Sequence, residues 1–504
     1  MKSTRDVIAD IKAKTKQCLE NRKSANVIID LLCYSQNDDA SVVAAALRAL
    51  QQAFSRFLIT QEMYLESSPP PDSEMTTEDQ YACWLQEQYT TTCDSFVEKL
   101  GSTNSKIQEL ALVGVLKFIE LEGQNPLQKP KVDEFTFPFT LLQEMVSKLM
   151  SHTSNMESLI LRLSEVTEHD DLRFFLMKAL RLELDKTPVK KRTEMFLSNV
   201  LCALENLEFP SDDEAKLNNF LTKPSDQHVQ HPKVSSLKEQ RKRFTAVWME
   251  FLRSELTPSL YRRVLTKLDE KVIPFLSSPL VLSDFLTQSY NIGGAVSLLA
   301  LNGLFILISK YNLDYPDFYR KLYSLFEPQV FHVKYRARFF FLADMFLSSI
   351  HLPSYLVASF IKRISRLSLS APPAGARLCV AFVLNLFVRH PNCSVLIHRT
   401  DSAQVNSDPF LDDEPDPAKT RAMESSLWEM KTLQNHFSPE VALEAKKINH
   451  LPTQEQDLAD FLDSNTEQMI EQEVKKKKPN VPLCPDQPKG LFGSSGLMKN
   501  FFTL

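Results

Sequence analysis

KYRARFFFLADMFLSSIHLPSYLVASFIKRISRLSL, Lys334 to Leu369, decides the fold of this chain. Six Lys and Arg surround apolar runs that contain a single acid, Asp344. Three structures could carry such a pattern: a membrane segment with basic flanks, a nucleic-acid surface, or part of a packed helical core. Pro353 is placed to open a helix. After it, Leu356, Val357, Phe360, Ile361, Ile364 and Leu367 fall on one helical stripe, while Ser359, Lys362, Arg363 and Arg366 take the other side. Before it, RARFFFLADMFLSS has Asp344 in mid-run and ends at the HLP break. The stretch is therefore two short helices, each below the roughly 20 residues that a bilayer requires, and the helical core is the expected answer.

Working outward, a chain of 504 residues with 43% hydrophobic and 24% charged residues can bury several cores. Its length fits roughly two to four domains or one long repeat array. A net charge of −5 does not mark the whole chain as a nucleic-acid binder, so any such role must come from local patches. Eight Cys stand at irregular positions with no CxxC pair, and MKSTRDVIADIKAK lacks the apolar core of a signal peptide. A reduced compartment is expected, with the thiols packed as small apolar groups.

In ASVVAAALRALQQAFSRFLI, Val43, Leu47, Leu50, Phe54 and Phe57 recur at steps of four and three, one face of a helix that a neighbour must cover. SANVIIDLLCYSQ is its expected partner. The arrangement repeats in DQYACWLQEQYTTTCDSFVEKL and SKIQELALVGVLKFIELEG, after the triple-proline linker ESSPPPDSEMTTED. Strand alternation is nowhere sustained. The expectation is all-α: an irregular, HEAT-like solenoid of helical hairpins with a helical C-terminal domain. The polar, proline-bearing stretch 209–243 suggests the main boundary, giving regions 1–208, 209–243, 244–470 and a basic tail, 471–504.

Three stretches, Ile292 to Ser309, Phe339 to Ile361 and Leu378 to Val388, are apolar enough to raise a rival, a multi-span nuclear-membrane protein. Polar interruptions, Pro353 and shortness argue against insertion, because central helices of a helical domain are equally apolar.

Catalytic constellations are missing from the sequence pattern. No glycine occurs between Gly123 and Gly293, and the Gly293–Gly294 pair completes no phosphate-binding loop. His228 and His231 sit in a polar linker without further ligands, and the sequence has neither HExxH nor GxSxG. FLDDEPDPAKT lacks the Gly and Glu of a calcium loop. No catalytic residue, cofactor or metal is expected. Lys362, Arg363 and Arg366 are expected on a polar face that meets RNA phosphates or an acidic partner, or that is simply solvated. On that view reversing their charges would cost folding little, about 0.5 kcal/mol. Arg336 and Arg338 are weaker contact candidates that could instead anchor a loop or helix start. In ESSLWEM, Trp428 is a candidate interface anchor, set against packing of the last helices on their own domain.

LALNGLFILISKYNLDYPDFYRKLYSLF (from Leu299), RFFFLADMFLSSIHLPSYLVASFIKRISRLSLSAPP (from Arg338) and CVAFVLNLFVRHPN (from Cys379) follow in an order that resembles the CCAAT-binding-factor family of nucleolar complex proteins. DPFLDDEPDPAKTRAMESSLWEMKTLQNHFSPEVALEAKKI, Asp408 to Ile448, is similar to the portion that sets a smaller member apart from its larger relatives. Phe437 stands where that family often has Tyr. The resemblance implies a non-catalytic, HEAT-like assembly factor of the small-subunit processome, acting in the nucleolus on the 40S precursor. Its implied partners are nucleolar protein 14, other processome proteins and pre-rRNA. Nuclear-type basic runs accompany it: KTPVKKR (Lys186 to Arg192), KEQRKR (Lys238 to Arg243) and the tail lysines Lys475, Lys476, Lys477 and Lys478, which before a proline fit an importin-read segment.

Overall fold

A computed structural model describes residues 4–20, 22–66, 76–129, 135–210, 217–222, 233–398 and 407–475. Twenty-one α-helices and several short 3-10 turns make up the described residues, with no strand beyond a single bridge between Leu65 and Gln128. Contacts divide the chain into two compact units, Met1–Asp314 and Tyr315–Leu504.

The first unit contains α1 (Thr4–Glu20), α2 (Val27–Ser35), α3 (Ala40–Ile59), α4 (Thr77–Lys99), α5 (Ser105–Gln124), α6 (Phe139–Leu149) and α7 (Glu157–Ser164). It continues with α8 (Asp170–Lys186), α9 (Glu194–Glu205), α10 (Leu237–Leu252), α11 (Pro258–Lys267), α12 (Ser283–Tyr290) and α13 (Gly294–Tyr311). Odd-numbered helices pack in one row, α1 on α3 and so on to α13, while α2, α4, α6, α8 and α10 form a second. This two-row ladder is a helical solenoid, in which each apolar stripe is covered by neighbours rather than by one central core. Side-chain caps from Asp39, Asn104, Thr193 and Ser236 start α3, α5, α9 and α10. After the triple-proline stretch, Thr76 and Asp79 close a reciprocal capping box.

The stretch 209–243, expected as a linker between domains, lies inside this first unit. The ladder passes across it, from α8 to α10 and from α9 to α11. Its described part is held down by polar bonds that hydrophobic periodicity cannot reveal. The buried Asp171 carboxylate accepts from Leu221 N at 2.9 Å, Thr222 N at 2.9 Å and Thr222 Oγ1 at 2.7 Å. Thr222 in turn lies against Gly123 so closely that a Cβ there would come within 2.1 Å of its methyl group.

A half-buried acid gives this unit a pH dependence. Tyr89 Oη donates to Glu122 at 2.8 Å, and burial pushes the Glu122 carboxyl up to about 7 despite that bond. The folded state thus keeps a proton that the unfolded chain releases near the ordinary carboxylate value. Stability from this group is fully present below that value and is lost as pH rises to 7. Glu122→Gln should flatten the dependence and stabilise the protein by about 1–3 kcal/mol at pH 8. Urea unfolding at pH 5 and pH 8 checks this; identical pH slopes for wild type and variant would remove Glu122 as the source.

Helix α13 is, with α3, one of two described helices long and apolar enough to cross a membrane, yet 56% of each apolar window is buried within the fold. Its polar side chains find internal partners: Ser297 Oγ donates to Tyr290 O, and Asn302 Nδ2 reaches Asp269 at 3.4 Å. Gly293 and Gly294 both have positive φ, +93° and +60°, so the pair makes the reversal between α12 and α13, a backbone state that glycine adopts without strain.

The second unit comprises α14 (Phe318–Ser324), α15 (Arg336–Phe346), α16 (Ser354–Ser368), α17 (Pro373–Arg389), α18 (Trp428–Leu433), α19 (Pro439–Lys446), α20 (Ala459–Leu462) and α21 (Thr466–Lys475). Helix α17 is its axis, buried from Ala374 to Phe387 apart from Arg377 and packed by α16, α19, α20 and α21. The expected break at Pro353 separates α15 from α16. Both meet Phe326, whose ring stands edge-on to Phe339 at 4.9 Å and to Phe360 at 5.6 Å. The single acid of the opening stretch, Asp344, is paired bidentately with Arg389 at 2.8 and 3.0 Å.

Candidate interaction site

Helix α16 presents its apolar stripe to the core, as its spacing requires. Its other side is not a solvent-facing surface. Lys362, expected there, is completely buried. Residues 408–433 lie across that side and supply its counter-charges. Lys362 Nζ sits 2.9 Å from Asp408 Oδ2 and 2.7 Å from Glu429 Oε1, and donates to Ser426 O at 2.7 Å. Arg366 joins the same two acids at 3.0 and 3.4 Å. Two cations meet two carboxylates, so the cluster has no excess charge to offer a phosphate backbone.

The acids are held by more than the cations. Asp408 also accepts from Trp428 Nε1 at 2.9 Å, from Phe410 N at 3.1 Å and from Ser425 Oγ. Burial alone would raise its carboxyl, but these hydrogen bonds together with Lys362 hold it well below the usual carboxylate range. Burial pushes Glu429 the other way, opposed by Lys362 and Arg366. Along the same helix, Ser359 Oγ donates to Pro417 O at 2.6 Å, and Arg363 donates to Phe326 O at 3.1 Å and to Asp412 O at 2.6 Å. The acidic run FLDDEPDPAKT is therefore part of an internal strap over a basic helix.

The other candidates separate by exposure. Arg336 Nη2 donates to Ser464 O at 2.7 Å and anchors the start of α15 against the turn before α21, whereas Arg338 is exposed. Trp428 is 40% exposed while Leu427, Met430 and Leu433 beside it are buried, so most of ESSLWEM packs internally. Arg366 and Lys362 lie 5.0 and 5.5 Å from the Trp428 ring centre. Phe437, in the family-type NHFSPEV motif, is 81% exposed. Lys475 is an exposed residue ending α21, 3.2 Å from Glu471. Lys476, Lys477 and Lys478 lie outside the described residues, as do His228 and His231.

The two upstream basic runs are built into the solenoid. Lys238 to Arg243 form the first turns of α10, with Gln240 buried, and Arg192 is buried against Glu250 at 2.9 Å. Among the described residues, no three His, Cys, Asp or Glu side chains are grouped to hold a metal ion. Five of the seven described cysteines are buried and all seven are free thiols.

A helical solenoid joined to a second unit built on α17 defines the class of protein. Residues 297–445 match the CBF/Mak21 family, and residues 2–188 match a family described as nucleolar complex protein 4-like, TPR repeats. Nucleolar complex protein 4 homolog B of Xenopus laevis is 41% identical, with the alignment covering 98% of this chain and 96% of the relative. The homolog of Homo sapiens is 40% identical over 96% of each chain, and that of Danio rerio 39% over 96% and 94%. The chain belongs to the nucleolar complex protein 4 family.

Proposed function

We propose that this chain is a nucleolar ribosome-biogenesis factor that makes and breaks no bonds. It serves as a scaffold in the small-subunit processome, for pre-rRNA processing and 40S subunit formation, and docks on nucleolar protein 14. The observation that carries this reading is the near full-length similarity to nucleolar complex protein 4 homologs. A two-row helical ladder supports it, because such a fold presents a long surface for its size. Of the candidate contact residues, Arg338 and Trp428 have the exposure that a partner requires, while Lys362 serves the fold. Purification of the tagged chain from nucleoli, with sequencing of the bound RNA, should recover small-subunit pre-rRNA together with nucleolar protein 14. Recovery of neither would overturn the reading.

Nuclear entry is assigned to Lys475, Lys476, Lys477 and Lys478, a basic run before a proline. Replacing all four with Ala should lower the nuclear fraction several-fold, and residues 471–504 fused to a cytoplasmic reporter should bring the reporter into the nucleus. A reporter that stays in the cytoplasm would reject the run as a signal.

A further inference from the structure

One cluster in the first unit has two cations without a salt-bridge partner among the described residues, beside stacked aromatic rings. Lys178, on α8, places Nζ 3.9 Å from the centre of the Phe139 ring, and Arg243, on α10, places its guanidinium 4.1 Å from that of Phe174. Among the described residues neither forms an ion pair, and the buried Arg243 Nε has no hydrogen-bond acceptor. The ring faces attract the cations but cannot neutralise them. Burial and the neighbouring Arg243 charge both lower the pKa of the Lys178 ammonium, and burial does the same to Arg243, opposed only by Glu239 one turn earlier. Next to the cations, Phe137 stacks on Phe175 at 4.2 Å with 14° between planes. Phe137 is part-exposed.

From this juxtaposition we infer that Lys178, Arg243 and Phe137 form a binding site for single-stranded RNA, with a phosphodiester lying between the two cations and a base stacked on Phe137. An acidic protein segment would satisfy the cations but would leave the flat phenyl face without a purpose; a nucleotide uses both features. The site also gives KEQRKR a role in its folded, helical form. The inference rests on the proposed function only for which RNA is met in the cell, and its test needs neither nucleolus nor partner.

The full chain is titrated with a fluorescent 12-nucleotide single-stranded RNA over a range of salt concentrations. Lys178→Gln with Arg243→Gln should weaken binding at least tenfold and reduce the salt slope by about 0.7, the value for one phosphate neutralised on a single strand. Phe137→Ala should weaken it about 5- to 100-fold with the slope kept. Unchanged affinity in folded variants would overturn the site. So would wild-type binding of polyglutamate in preference to RNA, which would assign the cations to an acidic protein. Because a variant could fail to fold, ultraviolet crosslinking of the unaltered chain to a uridine-rich strand gives an independent reading. Crosslinks within 135–139 or 174–178 support the site, and crosslinks found only elsewhere overturn it.

Discussion

Lys362→Ala should destabilise the second unit by about 3–5 kcal/mol, the cost of leaving a buried carboxylate without its partner. The variant would leave Asp408 and Glu429 facing each other with Arg366 as their remaining cation, and Arg366 lies 3.4 Å from Glu429 by its Nε only. Ser426 O would also lose its donor. Reversal to Glu should be worse, since it would add a third carboxylate to a site that water does not reach. The cost should fall on the strap, so that amides within 408–433 exchange with solvent well before those of α17. Lys362→Met combined with Glu429→Leu should recover much of the loss, because removing both buried charges avoids the penalty that removing one creates. Urea unfolding of the full chain with hydrogen exchange is the measurement. A loss below about 1 kcal/mol for Lys362→Ala would mean that the ammonium does not organise the strap, and that this face tolerates change as an exposed one does.

That expected loss reverses what the sequence suggested for the same residue, and the reason is distance along the chain. Helix periodicity reports which side of α16 faces the apolar core; it cannot report what covers the other side. The partner of Lys362 in this cluster, Glu429, is 67 residues away, beyond a Pro-rich acidic run that has no period of its own. The legible signal was charge complementarity: a basic helix face and the acid-rich stretch from Asp408 to Glu414 in one chain. The fold itself was more readable. The helix break at Pro353, the pairing of the N-terminal helices and the apolar α17 all follow from periodicity and length. The stretch 209–243 misled for the opposite reason, since polar, proline-bearing sequence marks a loop but does not say whether that loop ends a unit. The Lys178 and Arg243 cluster likewise joins α8, α10 and residue 139, which no local pattern brings together.

Arg173→Ala should be the second large loss, about 3–5 kcal/mol from the first unit, because it strips a buried carboxylate of its cation where two helices and a loop meet. The Arg173 side chain is 3% exposed. Its Nε donates to Gln240 Oε1 at 2.8 Å and its Nη1 to Glu208 O at 3.0 Å, while Nη2 pairs with Asp170. One guanidinium thus ties α8 to α10 and to the chain leaving α9. The Gln240 side chain continues the tie, its Nε2 donating to Asp170 O at 3.0 Å and to Val234 O at 3.1 Å. Asp170 also holds Asn219 N at 3.0 Å, so the loss should spread to Leu217–Thr222, whose apolar contacts are those of the buried Leu217 and Thr222 and of the Phe220 ring, 5.8 Å from that of Phe135. Arg173→Lys keeps the charge but offers a single ammonium in place of the planar fork, and should recover less than half of the stability. Hydrogen exchange should show amides of 217–222 opening first in both variants, with α10 following in Arg173→Ala. If that loop stays protected while global stability falls, Arg173 acts only through α10, and Asp171 with Thr222 suffices to hold the loop against Gly123.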